Sequence, residues 1–339
     1  MYLKRAAIAR ADDQKRGYRY SMIFSVRHIT TFRYEPAVRE SIMEVRLQPR
    51  SDGDQRCLNF TLRVDPAANV IQYRDFAGNT VHHFDIAAAH TGMTVSAESS
   101  VEVQSAQPPR ASDCGDWTDL DALLTAGDYW EMLLPSHFAR STPALEELAK
   151  ELAFERRANP LELLSELNAG IFRLFAYVPH STKVDSPIDE ALRTRQGVCQ
   201  DFAHIMIALA RRLNIPCRYI SGYMFHREEA HKDRSLEGAS HAWVEALVPG
   251  LGWVAFDPTN NLVGADRHIR VAVGRDYADV PPTRGVYKGE AQSELSVTVR
   301  VNPADKEPIE PAKPIFVLRS RPVLVRSAEK RIEQEQQQQ

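Results

Sequence analysis

Apolar and polar residues alternate with a period near two along IFSVRHITTFRY, VRESIMEVRLQPR, CLNFTLRVDP, NVIQYRDF, NTVHHFDIA and MTVSAESSVEV, between Met22 and about Gln107. This period, with many β-branched and aromatic residues, predicts short strands. Ser51-Asp52-Gly53-Asp54, Asp65-Pro66 and Gly78-Asn79 supply the turns between them. Such spacing implies a small antiparallel β-domain, a sandwich or barrel, over 22–107. Residues 1–21 are polar and unpatterned. They read as a weakly structured extension, with Met22 as the natural start.

The period changes beyond Gln107-Pro108-Pro109-Arg110-Ala111-Ser112, which opens a linker region assigned to 108–135. Ser141-Thr142-Pro143 caps a helix over 143–155, with proline in its first turn. Apolar residues at three/four spacing predict a second helix over 161–178, Pro187 opens a third, and a fourth runs from Cys199 to Leu213. Strands follow at 217–225, 241–249 and 252–258. Helices and strands over 136–290 therefore form a second domain. Strands at 294–301 and 314–319 occupy a C-terminal segment, 291–325. The polar tail, 326–339, lacks the apolar area needed to order itself. No internal repeat is visible, and the fold class is α+β.

Composition narrows the function. The 339 residues are 43% hydrophobic and 26% charged, which excludes collagen, coiled coil and wholesale disorder. With 42 Lys+Arg against 45 Asp+Glu, no basic field exists to hold nucleic acid or an anionic membrane. No apolar run reaches the about 18 residues of a membrane span. The start of the chain lacks the apolar core of a secretory signal. Cys57, Cys114, Cys199 and Cys217 show no paired spacing, so reduced thiols and a cytosolic location are expected.

Three segments carry chemistry. In RQGVCQDFAHIMIALARRL, Cys199 sits where a glycine-containing loop turns into a helix, with Asp201 in the first turn. A helix N-terminus favours thiolate, and its N–H groups can hold a developing oxyanion. The dipole contributes about 0.3–2 kcal/mol. At about 1.36 kcal/mol per pKa unit, it leaves a thiol only moderately acidic. A full thiolate needs a cationic neighbour, most naturally histidine. His241 opens the strand of ASHAWVEALVP, and Asp257 ends the next one in LGWVAFDPTNN. A hairpin over Pro249-Gly250-Leu251-Gly252 puts both at one end, adjacent across the ladder. There a carboxylate can orient an imidazole toward a nucleophile.

GVCQDFAH, SHAWVE and WVAFDPTNN resemble the three signature blocks of the transglutaminase-like cysteine-enzyme superfamily, in the family's order and with fitting separations. The resemblance covers roughly 160–290, including FAYVPHSTKVDSPIDEALRTRQG. The β-rich segment with ITTFRYEPAV resembles the N-terminal domain of bacterial members. The resemblance implies a papain-like core, a helix bundle packed on an antiparallel sheet. It implies Cys199 as nucleophile, His241 as base and then acid, and Asp257 as the residue orienting His241. A thioester formed from an amide would be resolved by water, as in a protease or amidase, or by an amine, as in a transglutaminase. Bacterial relatives favour hydrolysis. The Cys199 N–H would hold the oxyanion together with Gln196, Tyr177 or His180. Trp243 and Trp253 are core aromatics that are also candidates for walling the acyl site.

No acidic run resembles the calcium sites of animal transglutaminases, so no calcium, other metal or cofactor is expected. Cys199 with His226 and His231 lacks regular ligand spacing. The loop 226–240 that holds both histidines is instead a candidate border of the cleft. Cys217 reads as core, His204 as a packed helix residue, and His82-His83 alternate across a strand. The expected partner is a protein or peptide substrate, with no nucleic acid and no membrane. The rival from another class is a binding module that keeps the fold without the activity, against which the intact Cys/His/Asp set argues.

Overall fold

The computed structural model describes residues 21–104, 108–226, 233–264, 266–304, 316–320 and 329–333, the last two as backbone alone. The expectation of a weakly structured extension thus falls almost wholly outside the described residues. Strands β1 (Ser21–Val45), β2 (Gln55–Asp65), β3 (Ile71–Arg74), β4 (Thr80–Ile86) and β5 (His90–Gln104) form the N-terminal region. The alternation is visible in β1, where Phe24, Val26, His28, Thr30, Phe32 and Tyr34 are buried. The first two expected strands are one continuous element. Its first half pairs with β5 and its second with β4, and the pairing slips between Arg33 and Val38.

The linker expected at 108–135 is partly helical. Helix α1 (Trp117–Ala126) is capped by Asp116, whose carboxylate accepts from the Thr118 and Asp119 N–H groups. Its Leu120 enters the core formed by the later helices. Helices α2 (Pro143–Glu151) and α3 (Pro160–Leu174) are capped by Thr142 and Asn159, each followed by proline. Helix α2 stops short of the expected end, and Ala153 turns into the left-handed region. Helix α3 stops short as well, where β6 (Ala176–Tyr177) begins. After α4 (Ile188–Thr194), β7 (Gln196–Gly197) runs parallel to β6, and α5 (Cys199–Arg212) follows directly. The sequence suggests one apolar face for α5, yet every residue from Cys199 to Arg211 is buried. Arg211 tolerates this because its guanidinium donates to the carbonyls of Met132, Leu134, Cys217 and Arg275.

Strands β8 (Cys217–Met224), β9 (His241–Val248), β10 (Gly252–Asp257), β11 (Leu262–Val263) and β12 (His268–Gly274) form a second sheet, ordered β11-β10-β9-β8-β12. Ala242, Val244, Ala246 and Val248 of β9 pack with α5 in one core. The chain then returns to the first sheet. Strands β13 (Thr283–Lys288) and β14 (Gln292–Pro303) pair with β1, and β15 (Phe316–Ser320) pairs with β14. A boundary at 290 therefore cuts through one sheet. The expected disordered tail needs the same correction. Strand β16 (Glu329–Glu333) pairs with β13, because a sheet edge satisfies backbone groups without any apolar side chain; 326–328 and 334–339 lie outside the described residues.

Strand β12 is the edge of its sheet, and the N-terminal region caps it with carboxamides. Gln55 accepts from Arg270 N–H and donates to Arg270 C=O, both at 2.8 Å. Asn79 does the same at Val273, also at 2.8 Å. Both side chains are buried. Each mimics one rung of a missing strand. The Arg50 N–H also donates to the Arg270 carbonyl, so removing both carboxamides orphans the Arg270 N–H and the N–H and carbonyl of Val273. Each orphaned buried backbone group costs about 1–3 kcal/mol. The double variant Gln55→Ala/Asn79→Ala should therefore lose at least about 3 kcal/mol, read from the urea midpoint. An unchanged midpoint would mean that water replaces both rungs.

Candidate active site

The parallel pair β6–β7 sets Tyr177 opposite Gly197, two residues before Cys199. Val198 then enters α5, and its N–H donates to Asp201 Oδ2 at 2.9 Å. Thr182 Oγ1 donates to the same oxygen at 2.6 Å. Burial raises the Asp201 carboxyl to about 6 against these two donors. Cys199 is thereby fixed, fully buried, as the first residue of the helix.

His241 begins β9, and its Nε2 lies 2.8 Å from Asp257 Oδ2. Burial disfavours the imidazolium, but Asp257, with the Cys199 thiol hydrogen-bonded to the same ring, raises His241 to about 10. Burial likewise works against the Asp257 charge, and His241 and His268 overcome it, holding the carboxyl well below its ordinary value. Nδ1 of His241 has no hydrogen-bond partner among the described residues, while Nε2 is taken by Asp257, so Nδ1 is the ring nitrogen open to a proton from the thiol. Burial raises Cys217 to about 12 and moves Cys57 and Cys114 upward as well.

The hairpin forms over the expected turn, with Val248 opposite Gly252. The contact between histidine and acid is diagonal, however, not directly across. Phe256 pairs with Val244, so the register carries Asp257 to the level of Trp243, two residues past His241. Trp243 is fully buried and stacks on His241, with ring centroids 6.0 Å apart. It supports the imidazole from within the sheet and walls no open cleft. Trp253 lies at the far end of β10, opposite Leu247, where Arg218 covers its ring at 4.3 Å; it has no part in this cluster. Of the oxyanion candidates, Tyr177 lies close enough for Cys199 to act on it. Its hydroxyl is buried and donates to no acceptor among the described residues; burial, then Cys199 and Asp257, raise its pKa against the Leu236 backbone, which lowers it. Gln196 and His180 are exposed, the latter in a left-handed turn. His231 lies outside the described residues.

Two further residues, His268 and Asn260, join the site in the fold. His268 Nε2 is 3.1 Å from Asp257 Oδ2, the oxygen that His241 uses. Asn260 Nδ2 donates to that oxygen at 2.8 Å, and the Thr259 and Asn260 N–H groups donate to Oδ1. Asn260 lies in the quoted DPTNN block, where a turn after a strand-ending aspartate signals local bonds to its carboxylate. His268 had no local signal. His204, as expected, is packed, stacked between Phe138 and Tyr219. His226 Nε2 meets Ser235 Oγ at 3.1 Å, and Ser235 accepts from Asn260 at 3.0 Å, so the network continues outward from the carboxylate. His241, Asp257 and His268 present donor atoms within 4.8 Å of one another and could hold a cation. The two imidazole–carboxylate bonds already account for their closeness. No helix among the described residues is long and apolar enough to cross a membrane.

Residues 24–102 match the bacterial transglutaminase-like N-terminal region, and 147–258 match the transglutaminase-like superfamily. An uncharacterized protein of Mycobacterium leprae is 34% identical over 274 residues, 81% of this chain and 96% of that protein. One from Mycobacterium tuberculosis is 32% identical over 290 residues, 83% and 92% of the two. A protein-glutamine gamma-glutamyltransferase of Pseudomonas aeruginosa is 33% identical over 171 residues, 47% of this chain and 25% of that one. The crystal structure of a proposed cysteine protease from Cytophaga hutchinsonii superposes with a TM-score of 0.66 at 22% identity, covering 94% of this chain and 99% of its own. That likeness shows the fold.

Proposed function

The chain belongs to the transglutaminase-like superfamily, and from that premise we propose that it is a cysteine hydrolase cleaving an amide or isopeptide bond in a protein or peptide. The observation that carries this reading is the buried line from the Cys199 thiol through the His241 ring to Asp257. In this mechanism Asp257 holds His241 by Nε2, and His241 takes the thiol proton at Nδ1. The thiolate attacks the carbonyl carbon. The C–N bond breaks as the imidazolium protonates the departing amine, leaving a thioester. Water, deprotonated by His241, then attacks that thioester and releases the acid and the free thiol.

The Cys199 N–H at the start of α5 and the Tyr177 hydroxyl are the donors for the oxyanion in each step. Tyr177→Phe is expected to lower kcat by about 100-fold with KM within about twofold. Alkylation of Cys199 by iodoacetamide forms no oxyanion and should be nearly unchanged. An unaltered kcat would take Tyr177 out of the role.

A second reading replaces water with an amine, and the Pseudomonas aeruginosa relative, named as a glutamyltransferase, favours it. One experiment separates the two. The protein and its Cys199→Ala variant are incubated with peptides, isopeptides and a glutamine peptide plus a labelled amine. Free acid and a transient acyl adduct on Cys199 support hydrolysis, and label in the product supports transfer. No product and no adduct from any member would leave a binding module.

A further inference from the structure

We propose that His268 is a positioning residue that holds Asp257 in place for His241. The inference rests on the reading of Cys199, His241 and Asp257 as the reacting set. An ionised carboxylate only accepts, so both imidazoles present an N–H to Asp257 Oδ2, at 2.8 Å from His241 and 3.1 Å from His268. His268 Nδ1 is buried with no hydrogen-bond partner among the described residues. A proton there would be an orphaned donor, so the ring carries its proton on Nε2.

The other ties on Asp257 are local. Thr259 and Asn260 belong to the turn that follows it, and His241 belongs to the neighbouring strand. His268 reaches it from β12, beyond β8, and so links the carboxylate to the opposite edge of the sheet. The reach is built into the fold. His268 packs on Trp243, ring centroids 4.8 Å apart. Between them in the sheet, Gly222 pairs with His241 and with Arg270. A Cβ on Gly222 would lie 2.7 Å from the Trp243 ring and 2.1 Å from the Ile269 carbonyl, so only glycine lets these strands and rings close up. Gln55 clamps β12 two residues after His268. The N-terminal region thereby bears on the carboxylate through one strand.

The titratable groups facing this cluster are the Cys199 thiol from α5, Tyr177 from β6 and His226 beyond β8, with the Arg267–Asp233 pair acting on His226. None of these supplies Asp257 with a donor equivalent to His268. Without that donor the carboxylate can rotate, and the thiolate–imidazolium pair loses part of its counter-charge.

The test is the rate of Cys199 alkylation by iodoacetamide against pH, followed by peptide mass spectrometry on the full chain. The variants are His268→Ala, His268→Asn and His268→Gln, with thermal unfolding as the fold check. Wild type should show a plateau reaching into acid. His268→Ala and His268→Asn should move the half-plateau pH up by about one unit, a tenfold slower reaction on the acid limb. His268→Gln places an amide N–H near the position of Nε2 and should restore the wild-type profile within about twofold. If the alanine variant does not fold, the Asn–Gln pair carries the comparison. A wild-type plateau that the Ala and Asn variants leave in place, or that Gln displaces as far as they do, overturns the positioning role alone. Absence of any plateau in wild type overturns it together with the Cys–His reading.

Discussion

Replacing Cys199 with alanine is expected to abolish turnover while leaving the fold intact. The loss should be at least about 10,000-fold, because in the proposed mechanism the acyl bond forms on the Cys199 sulfur. Burial raises the remaining three thiols, so none offers a substitute nucleophile. The structural cost is one sulfur atom at the start of a helix buried from Cys199 to Arg211. That is on the order of 1 kcal/mol, so circular dichroism should be unchanged and the unfolding midpoint should fall by only a few degrees. In wild type, iodoacetamide should label Cys199 first. Equal labelling of all four cysteines, or turnover by the alanine variant, would end the nucleophile assignment.

Asp257→Asn should be nearly as severe, about 10,000-fold in kcat, since an amide can set a donor against the His241 N–H and misorient the ring. Here stability should suffer too. The buried carboxylate accepts from His241, His268, Asn260 and two backbone N–H groups. Breaking one side of a buried ion pair costs about 3–5 kcal/mol. The pH dependence identifies the partner. His241 is raised to about 10 in the fold, against about 6.5 when unfolded. Its contribution is therefore complete below about pH 6.5 and is lost as pH rises toward 10. Asp257 is depressed, so its share is complete above its ordinary carboxyl range and is lost progressively as pH falls below that range. The stability gap between wild type and Asp257→Asn, from urea denaturation, should be widest near pH 5–6 and narrow toward pH 10. A gap constant across that range would mean that His241 is uncharged in the fold.

Tyr177 illustrates an intermediate case of legibility. Its segment could be singled out from the sequence, but so could Gln196 and His180. Only the β6–β7 pairing, which sets Tyr177 beside Gly197, separates one near the thiol from two in solvent. The helix expected over 161–178 runs through Tyr177 itself. Apolar spacing persists past Leu174, and the extended turn at Phe175 depends on contacts with a segment twenty residues later.

The local chemistry needs only short-range pattern: a cysteine at a loop-to-helix junction, a histidine heading one strand and an aspartate ending the next. Periodicity, capping residues and a glycine turn act over a few residues, and so the sequence alone determined these elements, their order and the hairpin. Sheet order and register are different. The diagonal reach of Asp257, the crossing of β12 past β8 that delivers His268, the return of β13 and β14 to β1, and the carboxamide clamps of Gln55 and Asn79 join residues tens to hundreds of positions apart. Those pairings are chosen by burial of whole faces and by satisfaction of backbone groups at sheet edges, which no local window encodes, and only the tertiary structure decided them.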